Sequence, residues 1–165
     1  MESRVKLFGH PIHPVLIVYP VGLLSTAVIF DLLYVLTGNV DLSTFSFWAL
    51  LAGLIGGLAA AIFGLIDWMA VPKGTRARRI GAFHGAGNVV VVVLFAASLG
   101  ARWSQPAYLP DTMPFVFGIM GLALALVTAW LGGELVYRLR VAVDEGANLD
   151  APSSLTSHGP VDLEA

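Results

Sequence analysis

Four long apolar runs separated by short polar stretches set the pattern of this chain. A helix of about 20 apolar residues, rising roughly 1.5 Å per residue, crosses the hydrocarbon of a bilayer. The pattern therefore predicts spans over about 14–36, 45–69, 80–101 and 115–137. Pro14 suits the first turn of the first helix, where its missing N–H costs nothing, and Pro20 is expected to bend it one to two turns in. That first run is longer than the apolar core of a cleavable signal and lacks a small-residue cleavage site, so it reads as a retained helix.

The connections are legible as well. Residues 37–44 form a polar turn, 72–79 a basic connection, and 102–114 a loop whose Trp103, Pro106, Tyr108 and Pro110 suit a membrane–water boundary. In the second run Gly53, Gly56, Gly57, Ala60, Ala61 and Gly64 recur about one helical turn apart. Such a small-residue face lets two helices approach closely, with room for a flat cofactor as the alternative. Past Arg140 the chain turns polar. The expected organisation is an all-α, integral membrane four-helix bundle in up-down-up-down order over residues 1–143, followed by a disordered tail, 144–165.

Composition agrees with lipid as the solvent. Of 165 residues, 57% are hydrophobic and 12% charged, with mean hydropathy +0.81, whereas soluble domains carry about 25% charged residues. A net charge of -2 offers no basic face for nucleic acid. The absence of cysteine excludes disulfides and thiolate metal ligands.

Charge also orients the spans. Arg4, Lys6, Lys73, Arg76, Arg78, Arg79, Arg138 and Arg140 lie at one end of the bundle and Arg102 alone at the other. This bias predicts cytoplasmic termini and a cytoplasmic middle loop. The first and third helices should then face each other diagonally.

The same topology brings ionisable groups to one level. His10 and His13 begin the first helix, Asp67 nears the end of the second, His84 lies about one turn into the third, and Glu134 about one turn from the end of the fourth. Ionisable groups within a span are costly to bury, which makes them candidates for function. The intervals His13 to Asp67 and His84 to Glu134, 54 and 50 residues, suggest a parallel internal repeat.

Three readings of the cluster stand side by side. In the first, a b-type haem for electron transfer takes His84 and His13, or His10, as axial ligands. Gly81, Ala82, Gly85, Ala86 and Gly87 would leave room for the porphyrin, and Asp67, Glu134 and Asn88 would orient the rings. In the second, His10, His13 and His84 with Asp67 or Glu134 bind zinc, iron or manganese, or handle protons. In the third, the protein is a metal-free structural subunit: His84 bonds Asp67 or Asn88, and Glu134 pairs with Arg138 one turn on. Asp31, in the outer half of the first helix, is a separate case. It is expected to bond Tyr34 or backbone, with Arg102 as the one conceivable basic partner and a proton or ion role as the alternative. No recognisable nucleophile arrangement points to a hydrolase, and the protein is not expected to be an enzyme on its own.

Four ordered blocks carry a family resemblance: Gly9-His10-Pro11-Ile12-His13-Pro14; Asp67-Trp68 with Pro72 to Arg78; Gly81 to His84 with Asn88; and Leu131-Gly132-Gly133-Glu134-Leu135-Val136-Tyr137-Arg138. Over about residues 5–143 the chain resembles the bacterial four-span membrane proteins grouped as domain of unknown function 2231. The resemblance implies a bacterial inner-membrane location, and a redox role by analogy with members that look fused to Rieske-type iron–sulfur domains, which makes a Rieske-type protein the candidate partner. It also implies a His-Gly pair where this chain has Leu139-Arg140, and a glycine where it has Ala142. If that histidine is a ligand in the family, this chain has lost it, and a pair drawn from His10, His13 and His84 remains.

Overall fold

A computed structural model describes residues 1–156. Four helical stretches in it are long and apolar enough to cross a membrane: Ile12–Thr37, Val40–Ala70, Arg76–Arg102 and Pro106–Arg138. The first is α1 (Ile12–Leu16) and α2 (Val18–Thr37), joined through Ile17 with its right-handed helical angles. The interruption lies three residues before Pro20, which offers no N–H to the carbonyl of Leu16 and presses its ring against that group.

Capping moves the other boundaries outward from those the apolar pattern gave. Gly38, at φ 70°, closes α2 with its N–H on Tyr34 O, as left-handed caps do. Asn39 then accepts from Asp41 N–H and starts α3 (Val40–Ala70) at once. The expected polar turn over 37–44 shrinks accordingly, because Ser43 is satisfied by the carbonyls of Val40 and Ala107 and can sit in a first helical turn. Likewise Thr75 accepts from Arg78 N–H, so α4 (Arg76–Arg102) begins before Ile80 and takes in the basic residues. A 3₁₀ turn at Pro106–Tyr108 precedes α5 (Thr112–Gly133), whose end widens into a π-helical turn, Glu134–Arg138, just past Gly132-Gly133.

The bundle is two helical hairpins side by side. The α2–α3 and α4–α5 seams are extensive, and the α3–α4 and α2–α5 seams are thinner. The small-residue face of α3 serves packing: a Cβ at Gly53 would come within 2.7 Å of Leu24 Cδ2, and one at Gly56 within 3.0 Å of Tyr19 Cβ. The buried core draws Leu24, Ala27 and Val28 from α2, Phe47, Leu50 and Leu54 from α3, and Val91, Phe95 and Leu99 from α4. Tyr108 of the 3₁₀ turn stacks on Phe47 with ring centroids 3.9 Å apart, closing one end. Leu36, Ile55, Ile62, Val89, Val93, Leu126 and Trp130 point outward, as residues facing lipid must.

The N-terminal segment adds a small two-stranded ribbon to the helical fold. Lys6–Leu7 (β1) pairs antiparallel with His10–Pro11 (β2) around Phe8-Gly9. Both loop residues have positive φ, 51° and 83°, the geometry of a two-residue hairpin turn and the reason glycine is useful there. Beyond the π turn, residues 141–156 run as turns along this segment, with Ala142 N–H donating to Met1 O. Residues 157–165 of the expected tail lie outside the described residues.

Candidate functional site

Two histidines occupy matching seats, one in each hairpin. His13 places Nδ1 2.9 Å from the carbonyl oxygen of Ala60 on α3. His84 places Nδ1 2.8 Å from that of Thr128 on α5. Four residues after each carbonyl stands a glycine, Gly64 and Gly132, and a Cβ there would meet the ring at 2.8 Å and 3.2 Å respectively. A helical carbonyl bonded to the amide one turn on keeps a second lone pair, and a glycine at that amide lets an imidazole reach it.

This geometry decides the tautomers. A carbonyl only accepts, so each Nδ1 carries the proton and each Nε2 a lone pair. At His84 that lone pair is used: Asn88 Nδ2 lies 3.1 Å from Nε2 and also donates to His84 O, while Asn88 Oδ1 accepts from Thr128 Oγ1. Both ring nitrogens of His84 are therefore bonded. The position four beyond His13 is Ile17, and His13 Nε2 meets no partner among the described residues.

The other expected members lie elsewhere. Asp67 is buried, but it accepts from Ser3 Oγ with both oxygens and from the Arg4 N–H, all at 2.8 Å, so it fastens the N-terminal segment to α3 rather than orienting a histidine. Glu134 pairs with Arg76 at 2.8 Å, joining the end of α5 to the start of α4, and not with Arg138 or a histidine. His10 is exposed on the ribbon, with Ser154 Oγ 3.2 Å from its Nε2. Among the described residues no three His, Asp or Glu side chains are grouped to hold a metal ion, so the ligand set His10, His13, His84, Asp67 and Glu134 does not assemble. Depth was matched, but the side chains point to different neighbours around the helix axes.

Room for a porphyrin beside His84 is also not where the small residues suggested. A Cβ at Gly81 would strike Trp68 and one at Gly87 would strike Thr128, while Gly85 faces open space on the outside of the bundle. The glycines are spent on helix contacts or face outward.

A second buried polar cluster lies at the opposite end. Asp31 is 2% exposed and Arg102 0%. They form a two-pronged ion pair, Nη1 to Oδ1 at 2.9 Å and Nη2 to Oδ2 at 2.6 Å. Ser46 of α3 and Ser98 of α4 accept from the guanidinium, and Ser98 donates to Pro114 O on α5. The expectation that Asp31 bonds Tyr34 or backbone is thus corrected. The available signal was the isolation of Arg102, the one basic residue at that end. Arg102 Nε has no partner among the described residues. The acid is saturated by its own cation, which suits cohesion rather than catalysis.

A family model described as predicted membrane protein (DUF2231) matches residues 9–145. No curated protein and no solved structure matches the chain.

Proposed function

We propose that this chain, which belongs to the DUF2231 family of predicted membrane proteins, acts as an integral membrane subunit whose buried polar groups lock its helices without a metal or haem. The observation that carries this reading is the saturation of His84, with Nδ1 on Thr128 O and Nε2 on the Asn88 amide. An imidazole already bonded at both nitrogens holds helices together and has no lone pair to give an iron. The excess of Lys and Arg at one end supports cytoplasmic termini in a bacterial inner membrane. The chain has no cysteine, so single-cysteine variants at Lys73 and Gly38 can be labelled from either side of the membrane; exclusive outside labelling at Lys73 would reverse that orientation.

One observation favours a second reading, a b-type haem between His13 and His84. Both rings have Nδ1 tied to a backbone carbonyl, which is how axial histidines are commonly oriented, with Nε2 left for the metal. His13 fits this role as it stands; His84 fits it only once Asn88 leaves Nε2. Bound there, haem would supply one-electron chemistry, with a partner such as a Rieske-type protein. Protein purified in mild detergent decides between the readings. A colourless, metal-free preparation is expected. A Soret band lost in His84→Ala and strengthened in Asn88→Ala would overturn the first reading.

A further inference from the structure

We propose that the hollow between the end of α3 and the start of α4 binds the phosphate of an anionic phospholipid, with one acyl chain running down the outer face of α4. The hollow is open, roughly 410 Å³, and is lined by Trp68, Thr75, Arg76, Arg78 and Arg79 among others. It lies where two spanning helices end, at the depth of lipid headgroups, and its tryptophan is a residue typical of that boundary.

Charge complementarity selects the headgroup. Of the cations around the hollow, Arg76 is paired with Glu134 at 2.8 Å. Arg78 is held in place without a carboxylate: its guanidinium donates to the carbonyls of Trp68 and Val71, and its carbon lies 3.7 Å above the Trp68 ring. Arg79 is exposed and meets no acid among the described residues, and Lys73 on the same connection is likewise exposed. Positive charge thus exceeds local negative charge at a place that lipid phosphates visit. An arginine presents a planar fork of donors that matches two phosphate oxygens.

The surface below the hollow selects a lipid over free phosphate. Ala82, Gly85, Ala86 and Val89 are all exposed and recur at helical spacing, so they form a shallow smooth strip on α4, leading from the basic hollow toward the membrane interior. Nothing lies within 4 Å of a Cβ built at Gly85. An acyl chain can lie flat there; a soluble anion would gain nothing from it.

Native mass spectrometry of the detergent-purified full chain, titrated with phosphatidylglycerol or phosphatidylcholine, tests the proposal. Phosphatidylglycerol is expected to bind more tightly, each lost arginine weakening it by about fivefold in Arg79→Gln and Arg76→Gln. Arg138→Gln, at the same end but outside the hollow, should leave the preference within about twofold. Arg79→Gln breaks no side-chain hydrogen bond or ion pair among the described residues, so its result does not depend on the Arg76–Glu134 pair. Equal binding of the two lipids, or an equal loss in Arg138→Gln, overturns the site. Displacement of the lipid by millimolar inorganic phosphate alone assigns the hollow to a soluble anion and overturns the lipid.

Discussion

Arg102 grips Asp31 through both terminal nitrogens, at 2.9 and 2.6 Å, with both residues fully enclosed by the bundle. Asp31 comes from the first span and Arg102 from the third; Ser46 adds the second and Pro114 O the fourth. The ion pair therefore ties three spans directly and the fourth through Ser98, at the end away from the histidines. In lipid, apolar contact alone gives little drive for helices to pair, and hydrogen bonds of this kind add to close packing.

Removing either partner leaves a buried charge alone. Arg102→Leu or Asp31→Leu is expected to cost about 3–5 kcal/mol, whereas the double variant Asp31→Leu/Arg102→Met should cost much less than the sum. Reversible unfolding in mild detergent measures this cycle. Additive losses would show that the pair acts as two independent residues.

Gly64 and Gly132 are the seats of the two histidine rings, and a methyl group on either must displace an imidazole. At Gly64 the new carbon would lie 2.8 Å from His13 Cε1 and 3.0 Å from Nδ1; at Gly132 the nearest His84 atom is at 3.2 Å. Gly64→Ala should destabilise by about 1–3 kcal/mol and Gly132→Ala by less. The Gly64→Ala loss should largely vanish in a His13→Ala background, which thermal unfolding of the four variants would reveal.

Asn88 joins His84 to Thr128 through its amide and its oxygen. Asn88→Leu leaves the His84 Nε2 without its donor, while the Thr128 hydroxyl still reaches Ala125 O, at a cost of about 1–3 kcal/mol. Nitrogen NMR of labelled imidazoles should report His84 as the Nδ1–H tautomer in the parent protein. An Nε2–H tautomer would contradict the assigned hydrogen bonds.

Arg140 and Ala142 hold positive φ, 52° and 62°, at the two positions where the family resemblance implies glycine. A left-handed conformation crowds a Cβ, and glycine relieves it at some entropic cost. Arg140→Gly and Ala142→Gly are each expected to stabilise the fold by about 0.5–1 kcal/mol. A lower melting temperature for both would overturn this account of the segment.

The repeat was legible in the sequence in part. His13 and His84 do take equivalent seats, but the partners that make them equivalent are Ala60 O with Gly64 and Thr128 O with Gly132, not the acids Asp67 and Glu134. A backbone carbonyl has no letter in the sequence. The acids were conspicuous because they are charged in apolar runs, yet one is claimed by Ser3 and the other by Arg76, partners supplied by segments outside the spans' interiors.

The sequence by itself determined how many helices cross the membrane, their approximate ends and the depth of each ionisable group, because hydrocarbon thickness fixes span length and each residue advances a helix by about 1.5 Å. Only the tertiary structure decided which of these groups meet. Neighbouring residues on a helix point about 100° apart, so two side chains at one depth can face each other or opposite sides. That rotation is set by packing, by Gly53 against Leu24 and Gly64 beneath His13, and it brings Arg102 to Asp31 while keeping Asp67 and Glu134 from the histidines.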